Sequence, residues 1–272
     1  MEMKPLMKQW HFDPLIMILI IGIIFLYYLI TGFKVVKNRL CFLSAILLFT
    51  LTECSPIAAL GMRYFSAHMI VHVTQLLICG PLLVISFTPQ NISPLYNGIF
   101  ALSSFFNKYS WLAWLCGVGI MWFWHIPVVF DAAMNAMHNS FSIIPILRGG
   151  SMLLAGMLFS WPIFGPFKSA HLQPLTGIVY LFTACISCSL LGLLITFAPL
   201  NTWHNFAGMS PENSWNISPA EDQQAAGLIM WVPCCFVYLS GCLFLLYRWF
   251  AETDLPKKNT SIQLNTSIAS HE

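Results

Sequence analysis

Two histidines four residues apart, His68 and His72, lie in SAHMIVHVTQ, a run that is otherwise apolar except for Ser66, Thr74 and Gln75. On a helix that spacing places both imidazoles on one face. Met121 and His125 repeat the spacing further along and offer a thioether beside an imidazole. Nitrogen with soft sulfur suits copper, above all Cu(I), whereas magnesium and calcium take oxygen. Met230, about one and a half turns into the last apolar run, is a further soft donor.

Other chemistry is open to the same residues. HMIVH lacks the glutamate of H-E-x-x-H, so the general base of a zinc protease is missing from its position. Haem is an alternative, with His125 paired to His72 or His68 across two facing helices as axial ligands. A metal-free account is that the histidines hydrogen-bond between helices, because polar groups in lipid need partners. Three histidines at one depth favour a functional cluster. Cys185 and Cys188 form C-x-x-C in the middle of an apolar run, where cysteines pack as small apolar residues. The adjacent Cys234 and Cys235 point in different directions on a helix and do not readily share a metal. Glu53 and Asp222 are carboxylates in or near lipid, each expected to orient a ligating imidazole. Asp222 has a second reading, as an N-terminal residue favoured by the dipole of its own helix. Arg148 is expected to pair with Asp131 or to reach toward the membrane interface.

The elements that must position these residues are read from composition. Of 272 residues, 58% are hydrophobic and only 8% charged, with a mean hydropathy of +0.74, which predicts an integral membrane protein. A net charge of +2 without a Lys/Arg cluster excludes a nucleic-acid surface. Apolar runs near 14–33, 40–60, 65–87, 111–130, 143–164, 175–198 and 225–250 predict an all-α bundle of about seven spans in a single membrane domain, followed by a polar tail, 252–272. The first run is long enough to span and no A-x-A-like site follows it, so a cleaved signal peptide is not expected. The nine cysteines show no disulfide framework.

An odd number of spans sorts the basic residues into two groups. Lys4, Lys8 and Arg63 fall on the side of the N-terminus; Lys34, Lys37, Arg39, Lys108, Lys168, Arg248, Lys257 and Lys258 fall on the other. The positive-inside rule then places the N-terminus outside and the tail in the cytoplasm. With that orientation six of the eight histidines gather outside: His11, His68, His72, His125, His138 and His204.

SPIAALGMRYFSAHMIVH, MWFWHIPVVFDAAM, LLAGMLFSWPIFGP and EDQQAAGLIMWVP, in that order, resemble successive signatures of the CtaG family of cytochrome c oxidase assembly factors. The resemblance runs through almost the whole chain. It implies a bacterial inner-membrane protein that helps mature a haem–copper oxidase at the copper-insertion stage. It points to His68 and His72 in an HMxxH-like motif, His125 in a WHxP-like motif, and Asp222 and Gln223 in a DQQ-like motif. Many relatives carry a histidine where this chain has Gly149, with His138 as the replacement on offer. Taken together, the expectation is a copper metallochaperone and not an enzyme. Its ligands are His68, His72, His125, Met121 and Met230, supported by Glu53, Asp222, Gln223 and His138. Its partners are an oxidase subunit, a periplasmic copper donor and membrane lipid. A haem-binding electron-transfer protein and a metal-free scaffold are the alternatives.

Overall fold

The computed structural model describes residues 10–32, 36–90, 92, 95–137, 142–207 and 217–253. His138 lies outside these residues, as does the tail beyond Thr253. The described residues form helices and no strand.

Local chemistry sets many of the boundaries. Helix α1 (Pro14–Thr31) starts with Pro14 in its first turn, under the carboxylate of Asp13, which accepts from Leu15 N at 2.8 Å. It ends on Gly32 in the left-handed region at φ 57°, where the Gly32 amide donates back to Tyr28 O. Helix α2 (Val36–Cys54) stops before Ser55, whose hydroxyl caps the short α3 (Pro56–Gly61). Helix α4 (Phe65–Thr74) carries both histidines of HMIVH and runs through a π-helical turn, Gln75–Cys79, into α5 (Gly80–Ile85). A short connection leads to α6 (Tyr96–Lys108) and then α7 (Ser110–His125).

The fourth apolar run does not continue to residue 130. Pro127 holds Ile126 in extended backbone at ψ 123°, so α7 ends at His125 and α8 (Pro127–Met137) leaves at a bend of 71°. Helix α9 (Ile144–Phe164) and α10 (Pro174–Phe197) follow, then a one-turn α11 (His204–Ala207) and the long α12 (Pro219–Thr253). Helix α12 opens with a capping box: Glu221 N donates to Ser218 Oγ, and Ser218 N donates to the Glu221 carboxylate.

Among the described residues, five helical segments are long and apolar enough to cross a membrane, or six if α7 and α8 form one bent span. On this measure five or six of the seven expected spans are matched. Helix α7 alone is too short at 16 residues, and α2 carries Lys37, Arg39 and Glu53. These are the helices of a multi-pass membrane protein. The segment with the histidines is its centre: 67% of the most apolar window of Phe65–Ile85 is buried, against 22% for α1 and for α12.

Packing follows the membrane rule that small residues let helices meet. A Cβ on Gly192 would lie 2.8 Å from Gly227 O, so α10 and α12 touch backbone to backbone. Gly156 of α9 packs directly on Leu76 O in the π turn and on Gly80, with no room for a side chain at either glycine. Helix α9 thus joins two cores. Ala155, Phe159 and Ile163 pack with Met69, Met121 and Met230, while Leu153 packs with Ile20, Phe42 and Phe49.

Candidate metal centre

Helix α4 cannot cap its own start, because its N-cap residue, Tyr64, makes no side-chain cap bond. Asp222, far along the chain, does the work. Its carboxylate accepts from Phe65 N at 2.6 Å and from Ser66 N at 3.1 Å, and takes the Ser66 hydroxyl as well. A negative group at a helix N-terminus is favoured by the helix dipole. Asp222 therefore acts on the histidine helix, touching neither an imidazole nor only its own helix end. Gln223 is likewise a clamp: Nε2 donates to Ile195 O and Ala198 O, closing the carbonyl end of α10.

With α4 fixed, its register sets the rings. His68 Nδ1 lies 3.2 Å from Gly61 O, and His125 Nδ1 lies 2.6 Å from Met121 O. A carbonyl only accepts, so each Nδ1 carries the proton and each Nε2 presents a lone pair. This is how backbone oxygens prepare metal-ligating histidines. His72 Nε2 stands 2.8 Å from His68 Nε2, and the His72 and His125 ring centroids are 5.1 Å apart. Met69 completes the chain, its Sδ 3.2 Å from His125 Nε2. All four side chains are buried.

One atom in this chain is unsatisfied. His72 Nδ1 is buried without a hydrogen-bond partner. If His72 donates its only proton to His68 Nε2, Nδ1 is left as a dry lone pair; if Nδ1 keeps the proton, two lone pairs face each other at 2.8 Å. A cation between the two Nε2 atoms removes the second conflict. Two nitrogens about 2.0–2.1 Å from one tetrahedral ion lie about 3.3–3.4 Å apart, so the pair has to open by about 0.5 Å to share one. A void of about 10 Å³, lined by His68, His72, Trp124, Phe130 and Arg148 among others, offers room for one water-sized body. No three His, Cys, Asp or Glu side chains among the described residues converge as a metal-holding group. The donor set present is two imidazoles, with a third imidazole and a thioether alongside.

The remaining expected residues are placed elsewhere. Glu53 meets Arg148 Nη2 at 3.1 Å and accepts from Gln75 Nε2, not from a histidine. The pair keeps both charges inside the bundle. Asp131 accepts from His204 and Asn205 instead of pairing with Arg148. Met121 turns its sulfur to Cys188 at 3.6 Å, and Met230 is buried in the same core. Gly149 faces Glu53: a Cβ there would lie 2.7 Å from Oε1, so a histidine at this position would have to displace the ion pair.

Met69 escaped the sequence reading. It sits one residue from His68 and so off the i, i+4 face, and only the crossing of α4 and α7 brings its sulfur to His125. Above the histidines, Phe130 and Phe206 stand edge-on to the His68 ring at 5.1 and 6.0 Å. Beside it opens a cavity of about 520 Å³, running from Trp10, His11 and Arg63 to Glu53, Arg148 and His68.

No curated protein and no solved structure matches this chain. A family model does, that of the cytochrome c oxidase caa3 assembly factors, over residues 26–252. That stretch holds the three histidines, Met69, Glu53, Arg148 and Asp222, and the chain belongs to this family, Caa3_CtaG.

Proposed function

We propose that this protein carries copper on His68, His72 and His125, with Met69 beside them, and hands it to a haem–copper oxidase subunit during assembly. The observation that carries the reading is the paired Nε2 atoms at 2.8 Å, that of His68 left with its lone pair because its Nδ1 carries the proton donated to Gly61 O. Copper is cargo here. A site with few ligands beside a cavity permits ligand exchange with a partner, whereas four closed ligands would trap the ion. The protein's part is to hold and release, without bond-making chemistry of its own.

The orientation belongs to the same proposal. Helix α2 crosses as well: Lys37 and Arg39 lie at its start, and Glu53 is neutralised inside the bundle by Arg148. That restores an odd number of crossings, with the N-terminus outside the bacterial inner membrane and the basic loops in the cytoplasm. The cavity at Trp10, His11 and Arg63 then opens outward, toward a periplasmic copper donor and the oxidase subunit.

Copper content of the purified protein, beside His68→Ala/His72→Ala and together with oxidase maturation in cells, tests the reading. Loss of the histidine-bound equivalent of copper, together with loss of maturation, is expected. Unchanged copper and maturation in the double variant would overturn it in favour of a metal-free scaffold. A Soret band that disappears in His72→Ala or His125→Ala would overturn it in favour of haem.

A further inference from the structure

The sulfur atoms that the histidine chain leaves unused gather one helical turn away along α7. Met121 Sδ lies 3.6 Å from Cys188 Sγ, which lies 3.7 Å from the Tyr238 hydroxyl, and Cys234 is buried in the same core as all three. Three helices contribute, α7, α10 and α12, and all four side chains are buried. The C-x-x-C of α10 and the adjacent pair of α12 interlock. Cys234 is buried in the core that holds Cys188, while Cys235 turns to Cys185 with sulfurs 3.4 Å apart.

We propose that Met121, Cys188 and Cys234 form a second site, one that binds a soft monovalent cation, Cu(I), inside the helix bundle. Thiolate and thioether are the donors that select Cu(I). Sulfurs about 2.3 Å from a common ion lie about 3.8 Å apart in a tetrahedral site and about 4.0 Å apart in a trigonal one. The observed 3.6 Å therefore has to open only slightly. The Cys185–Cys235 pair is closer still, only half-buried, and has a serine hydroxyl instead of a third sulfur beside it.

Charge supports the same set. Cu(I) replaces one thiol proton, which leaves to water, so the product is one thiolate, one thiol, one thioether and one cation, with no net charge and no change of oxidation state. A neutral complex is what a lipid-buried location tolerates. Once Cys188 is deprotonated, the Tyr238 hydroxyl, now an acceptor, can turn and donate to the thiolate. The site stands on its own sulfurs and does not depend on the histidine reading. Met121 links the two, because its carbonyl holds His125 while its sulfur faces Cys188.

The test is an anaerobic titration of the full-length protein with Cu(I) held as its bicinchoninate complex, followed by copper X-ray absorption. Cys188→Ser/Cys234→Ser is expected to lose one equivalent of Cu(I) together with the thiolate part of the sulfur shell, and Cys185→Ser/Cys235→Ser to keep both. His68→Ala/His72→Ala is expected to retain the sulfur-bound equivalent, which separates this site from the histidine site. Tyr238→Phe and Met121→Leu keep volume and thiols, and each is expected to weaken that equivalent by roughly tenfold. Unchanged stoichiometry and shell in Cys188→Ser/Cys234→Ser overturns the proposal. If that variant does not fold, unchanged affinity in both Met121→Leu and Tyr238→Phe overturns it instead.

Discussion

Replacing Asp222 isolates the contact that holds the histidine helix in place. In Asp222→Ala, two backbone N–H groups, Phe65 and Ser66, lose a carboxylate in a buried setting. Hydrogen bonds to charged groups are worth about 1.5–3 kcal/mol each, and loss of an N-cap typically costs about 0.5–2 kcal/mol. The two bonds belong to one cap and are not independent, so about 3 kcal/mol is expected. Asp222→Asn keeps one acceptor oxygen but turns an NH2 toward the second N–H, and about half that loss is expected. Reversible unfolding in mixed detergent reads the energies, and amide hydrogen exchange at Phe65 and Ser66 reads the place. Both amides should exchange faster in Asp222→Ala, with protection across α10 little changed. Copper affinity should fall too, because the two Nε2 atoms depend on the register of α4. Stability within about 0.5 kcal/mol of the parent, with both amides still protected, would refute the capping argument; that margin is the usual effect of an inconsequential substitution.

Three further outcomes follow from the packing. Arg148→Met leaves the Glu53 charge buried and unpaired, at an expected cost of about 3–5 kcal/mol, whereas Arg148→Met/Glu53→Gln should recover most of it; a double-mutant cycle in unfolding free energy checks this. Met69→Leu conserves volume, so the fold should tolerate it, but removal of the thioether beside His125 should weaken copper binding at the histidine site roughly tenfold, measured by competition with a Cu(I) chelator. Gly156→Ala drives a methyl group into the Leu76 carbonyl and should cost about 1–3 kcal/mol by separating α9 from the π turn, whereas Gly22→Ala, with open space around it, should change stability little.

The membrane character and the all-helical class were legible because lipid makes every span declare itself in composition. Two local caps, Asp13 before Pro14 at α1 and the Ser218–Glu221 box at α12, are short-range signals that the hydropathy reading passed over. The end of the fourth apolar run was not read correctly, since hydropathy stays high through Pro127 and only the backbone bend there releases α8. The second apolar run was expected as a span, but what offsets the Glu53 charge on α2 is an arginine 95 residues away, which no linear reading supplies.

By itself, the sequence determined that His68 and His72 share a face and that polar residues recur in an otherwise apolar chain, because helical periodicity is a local property. Only the tertiary structure decided what each of them meets. It sent Asp222 to the start of α4, gave Glu53 to Arg148, brought Met69 instead of Met121 to His125, and paired Cys185 of α10 with Cys235 of α12 across helices. Such partners lie far apart in the chain and are chosen by crossing, register and close glycine contacts. No spacing along one helix encodes which residue of another will stand opposite.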